Sequence, residues 1–483
     1  MAKKQSTWYT GVKHIKKKEG TNILKIALPP KVDYIINKLI YSGYDAYAVG
    51  GCVRDSLLHK EPMDWDITTS AKPEEVKAIF KRTIDTGIEH GTVTVMLDKE
   101  GYEVTTYRID GEYEDNRHPK QVAFTEDLIE DLKRRDFTIN AMAYNDTQGL
   151  VDVFGGQKDL EEGIVRCVGN PDDRFDEDAL RILRAIRFSA QLGFEIDDET
   201  LRAVRSKAMN LNHISAERIR TELCKLLVSD HPEKLLVAFE TGITKVILPE
   251  FDAMMVTEQN NPHHSYSVGI HTIKAVQEVA TVEGFTEKEK LILRWAMLLH
   301  DVEKPSCFFI GEDGKAHFWG HQEKGAATSK SILKRLRFDN ETIEYVFRLV
   351  KWHDYEFTLT ETPMRRAIHK IGADLMHLLF EIKRGDMLAQ NPATIPAKLQ
   401  KLEEAKKLTK AIEAKGQCVD LKMLHINGKD LISIGFVRGK AIGKVLNQLL
   451  EEVLEDPALN ERETLLEKAE KYLKANPLFL KEE

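Results

Sequence analysis

Residues 49–66 read Val49-Gly50-Gly51-Cys52-Val53-Arg54-Asp55-Ser56-Leu57-Leu58-His59-Lys60-Glu61-Pro62-Met63-Asp64-Trp65-Asp66. An apolar run, residues 46–49, enters a Gly-Gly turn, and Arg54 follows three residues after Gly51. Asp64 and Asp66 then stand two apart, beside Trp65 and Ile67. On a strand, residues i and i+2 point to one side, so the reading places two carboxylates together beside a glycine turn. Carboxylates withdrawn from water need a cation, and Mg²⁺ takes oxygen ligands while bridging to phosphates. Gly51 lets a phosphate approach the backbone, and Arg54 can grip its oxygens with two parallel hydrogen bonds. The stretch therefore reads as a magnesium–triphosphate site for phosphoryl-type transfer, with Glu103, in Tyr102-Glu103-Val104, as a candidate third carboxylate.

Around this stretch the pattern alternates. Segments 47–49, 65–68, 93–97 and 102–107 are rich in β-branched and aromatic residues and predict short strands. Lys72 to Phe80 predicts a helix, with Ser70 as cap and Pro73 in the first turn. From about residue 156 the strands are expected to stop. Apolar spacing predicts helices over 176–191, 198–209, 216–228, 268–279, 288–300, 322–336, 341–351 and 399–415. The expected fold is α+β: a mixed sheet with helices in the head, then an all-α remainder. The expected divisions are a basic N-terminal extension (1–28), the head (29–160), a helical neck (161–260), a helical body (261–395) and a helical tail (396–483). Joints are expected near 155–156, 260–262 and 391–396.

The bulk composition sets limits. A chain of 483 residues with 42% hydrophobic content can build several packed cores. A net charge of −8 excludes a globally basic nucleic-acid binder, so any RNA surface must be local. Five cysteines, none spaced as Cys-x-x-Cys, argue against a disulfide framework or a thiolate zinc site and suit a reducing cytoplasm. No apolar run is long enough to span a membrane, and the first twenty residues lack the apolar core of a secretory signal.

Two further clusters carry charge in a telling pattern. Lys133-Arg134-Arg135 leads directly into the apolar run from Phe137, where cations are costly to bury without an anion. A triphosphate is one such anion, with Arg135 as the contact. In Glu177-Asp178-Ala179-Leu180-Arg181, continued by Arg184 and Arg187, a continuous helix would set Asp178 beside Arg181. That pair can accept from the exocyclic amine of cytosine or adenine and donate to the neighbouring ring position. Guanine and uracil offer a carbonyl where Asp178 needs a donor. Arg184 and Arg187 fan away by about 60° per step of three, toward a triphosphate or into the packing. The plain alternative is an ordinary surface ion pair.

Taken in order, Gly50-Gly51-x-x-Arg54-Asp55, Asp64-x-Asp66, Arg134-Arg135-Asp136-Phe137-Thr138-Ile139-Asn140-Ala141 and Glu177-Asp178-x-x-Arg181 resemble the class II tRNA nucleotidyltransferase and poly(A) polymerase family. The resemblance covers roughly 45–260 and implies a palm-like head with a helical neck. It favours the branch that adds C, C and A to the tRNA 3′ end from CTP and ATP without a nucleic-acid template. It implies Asp64 and Asp66 as Mg²⁺ ligands, and Gly51, Arg54 and Arg135 as nucleotide contacts. Asp178 and Arg181 are implied as the reader of the base, completed by Arg184 and Arg187. Residues 107–120 resemble the flexible loop of the full CCA-adding branch. Ala179 stands where bacterial poly(A) polymerases usually have proline, and an A-only enzyme stays open as an alternative. The tail is implied to grip the tRNA elbow.

A second constellation lies downstream: His271, His300-Asp301, His321, His353 and Asp386. Adjacent His and Asp at a helix end can place both side chains on one metal, a pattern suited to hydrolysis. The order His271, His300-Asp301, Asp386 resembles the HD phosphohydrolase superfamily, and His321 and His353 sit where its two-metal members carry extra ligands. The resemblance implies a divalent transition metal and phosphatase or cyclic-phosphodiesterase activity. Glu303 departs from the usual glycine, which puts the local turn in question. A metal phosphohydrolase with an RNA-binding head is thus a second reading of the whole chain, and a helical body with satisfied histidines is the plain one.

Overall fold

The computed structural model describes residues 25–110, 122–259, 266–280, 284–312 and 314–475. The chain divides into two compact units, one running to Glu161 and the other beginning at Glu162. Most of the N-terminal extension, the loop at 111–120, the joint at 260–262 and the last residues of the tail lie outside the described residues.

Among its described residues the first unit has nine strands: β1 Ala46–Val49, β2 Ile67–Thr69, β3 Thr83–Gly87, β4 Thr92–Leu97, β5 Glu100–Thr106, β6 Arg108–Asp110, β7 Val122–Phe124, β8 Ala143–Asn145 and β9 Gly149–Val151. Seven form one mixed sheet in the order β3-β4-β5-β2-β1-β8-β9, and β6 pairs with β7 separately. β2 and β5 are parallel, Ile67 opposite Val104, and the other pairs in the sheet are antiparallel. The central strands β1 and β2 are buried at every position, as expected where both faces are covered. Tyr47 and Val49, two apart on β1, pack with Tyr107, Leu132 and Ala143 on one face. The helix Pro30–Tyr41 buries Val32, Ile35, Ile36 and Leu39 and packs on β1.

The expected mixed sheet is present, with local corrections. Asp64 and Asp66 precede β2 rather than lie on it, although Val49 N–H still donates to Asp66 O at 3.0 Å. The helix expected at 72–80 is Pro73–Ile79. Its cap is Lys72, whose N–H donates to Glu75 at 2.7 Å. Ser70 instead accepts from Asp45 N–H at 2.9 Å.

The second unit is mainly helical, but strands do not stop at 156. Ile164–Val165 pairs in parallel with Glu195–Ile196, and Phe309–Ile310 forms a hairpin with Ala316–His317. Such two-residue pairs carry too little alternation to be read in a sequence. The helix expected over 176–191 is two helices, Pro171–Glu177 and Leu180–Leu192. Helices missed by the periodicity include Glu361–Ile371, Ala373–Leu388 and Lys440–Glu455. The end of the chain has its own core, with Leu431, Val445, Leu449, Val453 and Leu465 all buried. Among the described residues no helix is long and apolar enough to cross a membrane.

Candidate functional site

The turn after β1 sets the first site. Gly50 has φ +81°, a left-handed conformation that side chains resist, and a Cβ there would stand 3.0 Å from Arg135 Nη1. Gly51 opens the helix Gly51–Leu57, and a Cβ there would meet Arg54 Nη2 at 3.6 Å, an ordinary contact. The close approach of a protein side chain, Arg135, is at Gly50, which the sequence reading did not single out. Arg54, on that helix, donates from Nη1 to Asn140 at 2.6 Å and from Nε to Asp55 at 2.8 Å. Asn140 in turn donates to Asp136 at 3.1 Å. Residues 134–140 therefore wrap the Gly-Gly-x-x-Arg turn, joining motifs far apart in the chain.

The three cations at 133–135 do have protein anions. Asp131 is fully buried and accepts from Arg134 Nε and Nη2 at 2.9 and 2.8 Å and from Arg135 Nη2 at 3.4 Å. It also accepts from Thr68 Oγ1 at 3.2 Å and Arg108 N–H at 3.4 Å, tying the helix Leu128–Lys133 to the sheet. Burial would raise the Asp131 pKa, but Arg135 and Arg134 outweigh it and hold it below the usual range. Lys133 pairs with Glu130 at the surface. Asp131 was legible as an acid three and four residues before two arginines, and the sequence reading passed over it.

Asp64 and Asp66 are exposed, not buried as their place in an apolar segment suggested. Their oxygens are open to an incoming cation. Protein packed around the Asp66 carboxyl raises its pKa, Arg135 opposes this, and Asp64 adds to it. Two like charges beside each other favour a shared cation. Glu103 is exposed on β5, one residue before Val104, so the β2–β5 register brings it level with Asp66. These oxygen donors fit Mg²⁺.

In the second unit the chain breaks between helices at Asp178, whose φ is −138°. One Asp178 oxygen accepts from Leu180 N–H at 3.0 Å, and the other from Arg218 at 2.9 Å. The expected side-by-side pair with Arg181 is therefore not made. Asp178 stands outside the helix, and Arg181 donates to Glu177 at 2.6 Å. Arg187 is buried and donates to Glu222 and, at 2.6 Å, to Gln191. Arg184 lies over the Phe188 ring at 5.3 Å. Arg218 and Glu222 are additions that tertiary packing alone supplies.

The downstream constellation converges. His271 Nε2 lies 2.9 Å from Asp386 and 3.9 Å from Asp301, and His300 Nε2 lies 3.1 Å from Asp301. His321 and His353 Nε2 lie 3.4 and 3.7 Å from the other Asp301 oxygen. Asp301 thus sits between two triads, one with His271 and His300, the other with His321 and His353. Each histidine directs Nδ1 at a backbone carbonyl: His271 at Ala389, His300 at Met297, His321 at Phe318 and His353 at Val350. That fixes Nδ1 as the donor in the neutral ring and leaves the Nε2 lone pairs aimed inward, as metal ligation requires. His300 Nε2 and both Asp301 oxygens are buried without a well-formed hydrogen bond. Buried nitrogen and oxygen donors crowded around one carboxylate in this way fit a metal. Burial acts against charging His300, but Asp301 and Asp386 raise its pKa to about 10. Burial, then the charge of His300, lowers His353 to about 4. Glu303 has φ −103°, so this turn does not need glycine, and its carboxylate accepts from Thr328 at 2.6 Å.

A mixed sheet with paired acids beside a Gly-Gly-x-x-Arg turn, followed by a helical neck, defines a nucleotidyltransferase. Residues 46–166 match the poly(A) polymerase head domain, 193–255 the RNA and SrmB-binding segment of polymerase A, and 320–469 the tRNA nucleotidyltransferase domain 2. The CCA-adding enzyme of Ligilactobacillus salivarius is 35% identical over 93% of this chain and 96% of its own. That of Oceanobacillus iheyensis is 48% identical over 49% of this chain and 61% of its own. The structure of the Bacillus stearothermophilus CCA-adding enzyme in complex with CTP matches 93% of this chain and 99% of that one, at 27% identity and a TM-score of 0.66. The chain belongs to the CCA-adding enzyme family. Its members are metal-dependent nucleotidyltransferases.

Proposed function

We infer that this protein completes the 3′ end of tRNA, adding C, C and A from CTP and ATP with release of pyrophosphate. The observation that carries the reading is full-length similarity to a CCA-adding enzyme, 35% over 93% of the chain, together with the acids and the wrapped Gly-Gly-x-x-Arg turn. It favours CCA addition over the A-only and poly(A) alternatives. Asp64, Asp66 and Glu103 would hold Mg²⁺, which when bound supplies activation of the tRNA 3′ hydroxyl and neutralises charge on the departing pyrophosphate. Arg54 and Arg135 hold phosphate oxygens, each already oriented by a carboxylate or amide, so little order is lost on binding. Gly50 and Gly51 keep side chains out of the way. Asp178, steadied by Arg218, accepts from the C or A amine, with Arg181 as donor. Arg184, half-buried over Phe188, completes this set, and Arg187 supports it from the packing through Glu222. The neck and the tail from residue 396 hold the tRNA. Five free cysteines suit a cytoplasmic enzyme. Asp64→Ala should abolish nucleotide incorporation while tRNA binding persists; full incorporation by that variant refutes the reading.

The geometry at Asp301 supports a second activity in the same chain, a metal phosphohydrolase. His271, His300, Asp301 and Asp386 would hold one divalent ion and His321 and His353 a second, nitrogen and oxygen donors that suit transition metals. A bound metal would supply a water activated for attack on a phosphoester. Phosphate release that is lost in His300→Ala tests this; no release from any phosphoester by the metal-loaded wild type contradicts it.

A further inference from the structure

The Asp301 centre opens into a cavity of about 270 Å³ whose walls are unlike its floor. Asp301, His321 and His353 lie buried at the base with Phe318 buried beside them, while His317 and Trp319 form the rim. Trp319 is 74% exposed and stands with the exposed Phe309 in an aromatic patch. It is backed by Phe309 at 4.8 Å between ring centroids and by His317 at 5.3 Å. Phe309 and His317 face each other across the small hairpin and stack at 5.4 Å.

The rim is fastened to the ligands. Phe318, next to Trp319, packs with Cys307 and Ala316. Its carbonyl accepts from His321 Nδ1 at 2.9 Å, with the neutral tautomer that donates there. Its ring lies under Lys304 Nζ at 5.5 Å, and Lys304 itself pairs with Asp301 at 2.7 Å. The residue before Trp319 is thus tied to the Asp301 centre. A flat π-system at the mouth of a phosphate-directed centre suits a base stacked on one side and its phosphate below.

We propose that Trp319, backed by Phe309 and His317, is a nucleobase shelf that makes the second site selective for nucleoside phosphoesters over phosphoesters without a base. This rests on the phosphohydrolase reading of Asp301. In the step served, water forms a new P–O bond and the P–O bond to the sugar oxygen breaks. That oxygen leaves with a proton from the water, and no oxidant or co-reactant is needed.

AMP and ribose 5-phosphate test the shelf, since they share sugar and phosphate and differ in the base. The protein is the full chain carrying Trp65→Phe, which removes the tryptophan between Asp64 and Asp66, with added Mn²⁺. AMP should quench the remaining tryptophan fluorescence, and ribose 5-phosphate should not. The quench should vanish in Trp65→Phe/Trp319→Ala. For phosphate release, KM should favour AMP by roughly tenfold, the scale of one stacked base. Trp319→Ala should erase that preference through KM with kcat kept, and Trp319→Phe should restore part of it. Phosphate release that is lost in His300→Ala, but equal for the two substrates and unmoved by Trp319→Ala, overturns the shelf and leaves the phosphohydrolase standing. Trp319-dependent quenching without phosphate release supports the shelf and overturns the hydrolytic reading instead.

Discussion

Asp131→Ala removes a fully buried carboxylate that pairs with two arginines of the first unit. Its oxygens take two bonds from Arg134 at 2.9 and 2.8 Å, one from Arg135 at 3.4 Å, and others from Thr68 and the Arg108 N–H. Breaking a buried ion pair from one side costs about 3–5 kcal/mol, because the partner stays behind uncompensated. Arg134 and Arg135 keep 17% and 18% side-chain exposure, so water takes up part of the loss and the lower end applies. About 3 kcal/mol corresponds to an exchange rate about 150-fold faster for amides of β2 and β5 that open by unfolding of the head. Hydrogen exchange followed by mass spectrometry reads this in the first unit alone. The pH dependence carries its own sign. The folded pKa is depressed by Arg135 and Arg134 against burial, so the stabilisation is present above the unfolded value, near 3.9, and is lost as pH falls through the folded one. Wild type and variant should converge in acid. Arg135 loses an anchor too, so KM should rise by the same factor for CTP and ATP, since phosphate is common to both. Unchanged exchange in β2 and β5 at neutral pH refutes the reasoning.

Other outcomes follow from single contacts. Arg218→Ala frees one oxygen of Asp178 and should relax the choice of C and A over G and U by roughly tenfold, read from incorporation with all four nucleotides in competition. Arg187→Ala strands buried Glu222 and should cost about 3–5 kcal/mol in a denaturant titration, whereas the apolar pair Arg187→Met/Glu222→Leu should recover most of that loss. His300→Ala should lower metal content, measured by elemental analysis, while CTP incorporation continues.

The fold of the head was legible because its short segments are rich in β-branched and aromatic residues and its motifs stand in order. In the first site the separate motifs around Arg54 and Asn140 were legible, and the structure joins them. What escaped the sequence was which atoms hold which. The helical spacing of Arg181, Arg184 and Arg187 runs back through Asp178 without a visible fault. The chain nevertheless breaks there, because the Asp178 carboxylate caps the next helix at Leu180. Arg218, forty residues away, becomes its partner, and only packing can bring that about. The downstream histidines were legible as a set. Their shared orientation was not, since it comes from four backbone carbonyls that helix ends and turns present to Nδ1. The turn at Glu303, doubted for lack of glycine, needs none, because its φ is negative.

The central claim is that one site adds C, C and then A. Three tRNA substrates, ending before CCA, after C and after CC, should be offered labelled CTP and ATP separately and together. The account predicts CTP incorporation on the first two, ATP incorporation on the third, completion to CCA with both nucleotides, and loss of every addition in Asp66→Ala. Incorporation of ATP alone, or growth of a tail beyond one A, would contradict it.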